Sequence, residues 1–145
     1  MQRLSRIPPT TRDSKTHVRS RGGIRLTLAD VSLARGIELF NGGRYWEAHE
    51  AWEEAWTPDR RGPDRGFYKG LIQVAAGCLH YGRRNRRGTV NKWRSGADQL
   101  RPYLPRHRGV ELAPLVALVD ANLAVVEREP WPEGLTMPVI EATPT

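Results

Sequence analysis

The 145 residues predict an all-α fold, a compact bundle of about five antiparallel helices. Three observations carry this expectation. Apolar residues recur at helical spacing in five successive segments. The segments are divided by Gly-, Asn- and Pro-containing connections short enough to set consecutive helices antiparallel. No strand-type alternation of useful length interrupts them, "GIRLTL" at 23–28 excepted.

In chain order, residues 1–26 read as a basic flexible arm with Pro8-Pro9, Gly22-Gly23 and little periodicity. The bundle domain is expected over 27–130. Its first helix starts at Thr27, places Val31, Ala34, Ile37/Glu38 and Phe40 near helical spacing with Leu33 beside them, and stops at Asn41-Gly42-Gly43, residue types that tolerate left-handed backbone. The second, Arg44 to Trp56, ends at Thr57-Pro58-Asp59. The third, Phe67 to Tyr81, is apolar around most of its circumference, the mark of a central helix. The fourth, Gly88 to Tyr103, has Val90, Trp93, Ala97, Leu100 and Leu104 as its inward set and ends at Pro102 and Pro105. The fifth spans 109–129, with Pro114 either in its first turn or breaking it there. Residues 131–145 form a proline-rich tail without a core pattern.

Composition narrows the function classes. The net charge of +7 belongs to the arm: residues 1–28 hold seven basic groups and one acid, which leaves +1 for the rest. The folded part is nearly neutral, so the basic pI is no argument for a nucleic-acid-binding domain. The basic stretch "RRNRRGTVNKWR" (Arg83 to Arg94) reads as a solvated loop, with no nucleic-acid-binding motif beside it. No apolar run approaches the roughly 18 residues of a membrane span, and the N-terminus has no secretory core. The one cysteine, Cys78, lies in apolar "QVAAGCLHY" and reads as a core residue. A cytoplasmic protein is the expectation.

The polar residues that break the apolar pattern are the candidate site. On helix two, Tyr45, Ala48, Trp52, Ala55 and Trp56 share one face and Glu47, Glu50 and Glu54 the other. His49 and Glu53, four apart, border the aromatic face. On helix three, Gly70, Gln73, Gly77 and His80 fall on one line. Two glycines there cost about 1–2 kcal/mol in helix propensity, offset if they let another helix or a ligand approach the backbone. His49, Glu53 and His80 are therefore the candidate catalytic and metal-binding residues, with Tyr45, Gln73 and Trp52 as ligand contacts. Three readings stay open. Two imidazoles and a carboxylate match a zinc, iron or manganese site. They also match a proton-transfer pair, or else a buried hydrogen-bond network joining helices two and three or a small-ligand pocket. "HEAWE" is not the HExxH of metalloproteases, because the fifth position is Glu53.

Two resemblances rest on these residues. "GRYWEAHEAWEEAW" is similar to the turn and second helix of a tetratricopeptide repeat through Gly43, Tyr45, Ala48 and Ala55, but no second copy follows at the repeat's period of about 34 residues. More specifically, from about Leu33 to Leu104 the chain resembles the prokaryotic domain of unknown function 309 family. The matching residues are Phe40-Asn41-Gly42-Gly43-Arg44-Tyr45-Trp46-Glu47-Ala48-His49-Glu50 with Glu53 and Trp56, then Gly70-Leu71-Ile72-Gln73-Val74-Ala75-Ala76 with His80, then "RNRRGTV", where Thr89 replaces the usual alanine. The resemblance implies a compact helical bundle and the same four polar residues, His49, Glu53, Gln73 and His80; it supplies no reaction. The enzyme version is metal-assisted hydrolysis, with Glu53 or Glu50 taking a proton from a bound water. The rival is a non-catalytic interaction module in which exposed aromatics such as Trp46 bind a peptide or a second copy of the chain. A third, lesser alternative is nucleic-acid contact through the basic arm and Arg83–Arg94, which predicts affinity that falls steeply with salt.

Overall fold

The computed structural model describes residues 17–19 and 25–143. Five α-helices dominate them: α1 Leu28–Asn41, α2 Tyr45–Trp56, α3 Arg65–Gly82, α4 Arg86–Leu100 and α5 Leu112–Val126. Most of the arm expected over 1–26 lies outside the described residues. Within and beside it, β1 (His17–Arg19) and β2 (Arg25–Thr27) pair antiparallel, so "GIRLTL" does contribute a strand. A second small sheet joins β3 (Arg106–His107), β4 (Val110–Glu111) and β5 (Glu141–Ala142), all antiparallel. Strands this short carry no alternation for a sequence pattern to detect.

Local chemistry sets the helix ends. Thr27 and Asp30 form a capping box, Asp30 N donating to Thr27 Oγ1 at 3.0 Å and Thr27 N to Asp30 Oδ2 at 3.2 Å. The chain leaves α1 through Gly43 at φ 82°, where glycine escapes the Cβ penalty. Asn85 caps α4, its Oδ1 accepting from Gly88 N at 3.0 Å. The fourth helix stops at Leu100, earlier than the sequence pattern suggested. Arg101–Tyr103 tighten into a 3-10 turn because Pro102 cannot donate to the α-helical ladder.

Two tryptophans lock neighbouring helices together in the same way. The ring of Trp52 in α2 lies on Gly36 of α1, and its Nε1 donates to the Leu33 carbonyl at 3.2 Å. The ring of Trp93 in α4 lies on Gly77 of α3, and its Nε1 donates to the Val74 carbonyl at 3.2 Å. In each case the accepting carbonyl is three residues before the glycine. A Cβ at either glycine would come within 2.2 Å of the indole. Around these locks Phe40, Phe67, Leu71, Val74, Leu100, Leu112 and Val119 are fully buried. Burial of this kind stabilises at roughly 25 cal/mol per Å² of apolar surface.

The segment after α5 is held against the bundle, although its sequence lacks a core pattern. Asn41 clamps it, donating Nδ2 to the Ile140 carbonyl at 2.9 Å and accepting from Ile140 N at 2.8 Å. Ile140 is 3% exposed. Tyr81 donates to Pro132 O at 2.6 Å and accepts from Leu135 N at 3.0 Å. The anchors lie 99 and about 50 residues away in sequence, beyond the reach of any local pattern.

Candidate functional site

Tyr45, Ala48, Trp52, Ala55 and Trp56 form the inward face of α2, with Ala51 beside them. Trp52 is fully buried, so it acts as the α1–α2 lock and offers no surface to a ligand. Tyr45 packs edge-on against Phe40 at 5.2 Å. Burial, with the Cys78 thiol beside it, pushes its hydroxyl up to about 12. Burial likewise pushes the Cys78 thiol to about 12, so it carries no thiolate near neutrality and is a core residue as its setting implied.

His49 and Glu53 are brought together one turn apart, Nε2 to Oε2 at 3.7 Å, and both are about two-thirds shielded from solvent. The other carboxylate oxygen, Oε1, accepts from Arg60 just after the helix, and Arg60 in turn lies over the Trp56 ring at 4.4 Å. Trp46 stacks on the His49 imidazole at 4.9 Å with an 18° tilt. His49 Nδ1 is buried without a hydrogen-bond partner. The tautomer protonated at Nε2 directs its N–H toward Glu53 and leaves only a lone pair inside.

His80 serves a different junction. Its Nδ1 is 3.2 Å from Asn85 Nδ2, its carbonyl accepts from Asn85 N at 2.9 Å, and its ring lies against Gly88. It closes the α3–α4 turn. The glycines on its line face the same way: a Cβ at Gly70 would meet Leu100 at 2.6 Å and the Gly96 carbonyl at 3.0 Å, and one at Gly77 would meet Trp93. The partner that the small residues admit is helix α4. Gln73, on this same face, is half-buried with Oε1 unpaired. Among the described residues no three His, Cys, Asp or Glu side chains stand close enough to hold one metal ion. His49 and Glu53 offer two donors from a single helix, and that arrangement does not fit the three-ligand centre expected of His49, Glu53 and His80. Thr89, in the place of the family's alanine, is fully buried and donates its hydroxyl to the Asn85 carbonyl at 2.7 Å, so its polar atom is satisfied.

The sequence pattern missed a second polar cluster. His107 has Nε2 2.7 Å from Asp64 Oδ1 and its ring beside Phe67 and Tyr103 at 4.8 and 4.7 Å. Arg108 donates Nε to Asp64 Oδ2 at 2.7 Å and Nη1 to Asp30 Oδ1 at 2.9 Å. Burial works to raise the Asp64 carboxyl, but hydrogen bonds from Arg108 and His107 outweigh it and hold it below its ordinary range. The cluster fastens the β3–β4 turn, where Arg108 and Gly109 both take positive φ, to the starts of α1 and α3. No sequence signal links residues 43 and 44 positions apart.

The basic stretch is also accounted for. Arg84 pairs with Glu133, Arg86 with Glu129 and the Val126 carbonyl, and Arg94 with Glu127. Three of its arginines are thus engaged with α5 and the segment that follows it. Four carboxylates line the outside of α2, and a cleft of about 280 Å³ between α1 and α2 is lined by Arg35, Glu47, Glu50, Ala51 and Glu54.

Residues 33–91 match the model of the family described as Domain of unknown function (DUF309), the family that the motifs resemble. No curated protein matches the chain. No helix among the described residues is long and apolar enough to cross a membrane.

Proposed function

We propose that this protein is a non-catalytic helical interaction module whose outer α2 face receives a basic peptide segment of a protein partner. The observation that carries the reading is Trp46, 56% exposed and held flat on the His49 ring. A large aromatic already ordered by stacking loses little conformational freedom on binding, and tryptophan is enriched among residues that dominate interface energetics. Trp46, His49, Glu50 and Glu53 fall at i, i+3, i+4 and i+7, on one side of the helix. Glu50 has no ion-pair partner among the described residues. A guanidinium or ammonium seated on the indole gains a cation–π contact worth about 0.5–1 kcal/mol at an exposed site. The carboxylates beside it add steering and register.

Fluorescence anisotropy with a labelled dodecapeptide of alternating arginine and serine tests this. Saturable binding that weakens with salt and falls about two- to fivefold in Trp46→Ala, and also falls in Glu50→Lys, supports it. Absence of saturable binding, or binding indifferent to Trp46, sinks it.

The 3.7 Å between His49 Nε2 and Glu53 Oε2 favours one second reading, a two-donor clip for a divalent ion. Tetrahedral zinc with arms of about 2.1 Å sets its donors about 3.4 Å apart. Calorimetric titration of zinc into the wild type and His49→Ala tests it, and equal heats from both proteins would remove that reading.

A further inference from the structure

A cavity of about 560 Å³ opens between the first turn of α3 and the stretch of α4 from Asn91 to Gln99. Its polar lining is of two kinds. The charged side chains are already engaged, Arg94 with Glu127 and Asp98 with Arg101. The neutral ones are not: the side chains of Asn91, Ser95 and Gln99 make no hydrogen bond among the described residues. They stand at i, i+4 and i+8, in steps of about 6 Å along one side of the helix. Ser95 and Gln99 are half-buried. Tyr103, in the 3-10 turn after α4, supplies an aromatic wall. Its hydroxyl donates to the Pro63 carbonyl at 2.7 Å, and its ring packs on Phe67 and His107 at 6.0 and 4.7 Å, so the wall is held before any ligand arrives. Gly66 lets the wall come this close. A Cβ there would stand 3.0 Å from the Tyr103 ring and 3.3 Å from the Gln99 carbonyl.

We infer that this cavity binds a neutral polyhydroxylated ligand, a sugar ring, held by Asn91, Ser95 and Gln99 beside Tyr103. The lining selects that chemistry in three ways. Both charged side chains are neutralised within the chain, so a phosphate or an ammonium finds no unpaired countercharge. A carboxamide donates through its nitrogen and accepts through its oxygen, and a hydroxyl does both. Adjacent sugar hydroxyls do the same, so one carboxamide can take two neighbouring hydroxyls at once. An apolar ligand would instead strip water from three polar side chains and return no partner, which is costly. The Tyr103 ring offers its apolar surface to the C–H side of the sugar. Asn91, Ser95, Gln99 and Tyr103 belong to α4 and the turn after it, so this site is distinct from the outer face of α2.

Proton–nitrogen correlation spectra of the full, nitrogen-15-labelled chain test the inference, with glucose, galactose and mannose added separately as probes. At least one of them should shift the side-chain amide pairs of Asn91 and Gln99 and the backbone amide of Gly66 along a saturable curve. A few hydrogen bonds at an open site give a Kd of about 1–10 mM. Asn91→Ala and Gln99→Ala, read at the Gly66 amide, should each weaken binding about three- to tenfold while the far-UV circular dichroism spectrum stays unchanged. Sodium phosphate at the same concentration should leave these signals in place. Three outcomes overturn the inference: no saturable shift with any of the sugars, binding indifferent to both substitutions, or phosphate bound at these residues. Trp46→Ala leaves sugar binding intact, which separates this site from the peptide-binding reading.

Discussion

Replacing Gly77 with alanine probes the lock between α3 and α4. The new Cβ would stand 2.2 Å from Trp93 Cδ1 and 2.6 Å from Nε1, against a normal carbon–carbon contact of about 3.5–4.0 Å. Trp93 is fully buried, Tyr81 stacks on it at 6.2 Å, and its N–H is committed to the Val74 carbonyl, so the ring has little room to retreat. Overpacking of this kind costs about 1–3 kcal/mol. Pulling the indole N–H off its acceptor leaves a buried donor unpaired, at about 1–3 kcal/mol. Alanine returns about 1 kcal/mol of helix propensity. The net is a destabilisation of about 3 kcal/mol, with a span of about 1–5 kcal/mol. Urea unfolding followed by far-UV circular dichroism reads it directly. Gly82→Ala, where a Cβ meets nothing within 4 Å, is the control and should change stability by under about 1 kcal/mol. Trimming the ring should relieve the clash, so Gly77→Ala combined with Trp93→Leu should cost less than the sum of the two single changes. A Gly77→Ala variant as stable as the wild type, or more so, would refute the reasoning, because propensity alone would then govern the site.

Asn41→Ala removes both hydrogen bonds to Ile140 and should cost about 1–3 kcal/mol, with faster amide exchange at Ile140 as the local signature. The Asp64 carboxyl is depressed in the folded chain, so its contribution is present above the ordinary aspartate value of 3.8 and is lost as acid takes the pH down through the folded value. Asp64→Asn should flatten the acid limb of a stability–pH curve, and an unchanged limb would argue against this cluster's role. Thr89→Ala removes a hydroxyl bonded to the carbonyl one turn back together with a fully buried methyl, and urea unfolding should show a loss of about 1 kcal/mol. Cys78 should react with a disulfide reagent only on unfolding, and rapid labelling of native protein would contradict its burial.

The five helices and the division of α2 into an aromatic face and an acidic face were legible in the sequence, because helical periodicity is a local property that survives any packing. So was the small-residue line on α3, from Gly70 to His80. What met that line was not legible. Spacing places residues on a common face but does not say which neighbour covers the face. His80 and Gln73 share theirs with the glycines under α4, while His49 and Glu53 belong to α2. Only the tertiary structure paired Asp64 with His107 and Asn41 with Ile140, since each contact closes a long loop by hydrogen bonds that leave no periodic trace. It also turned the basic stretch after α3 into the anchor of α5 and the segment beyond, because arginines read as solvent-facing found Glu127, Glu129 and Glu133 brought beside them by the bundle. The sequence by itself determined the buried faces of α2 and α3, whereas Val31, Ala34 and Leu104, which share the helical spacing of the inward residues, are exposed. The packing of α1 on α2 and of α3 on α4, through Trp52 on Gly36 and Trp93 on Gly77, decided which polar residues could meet and left Trp46 and the outer side of α5 at the surface.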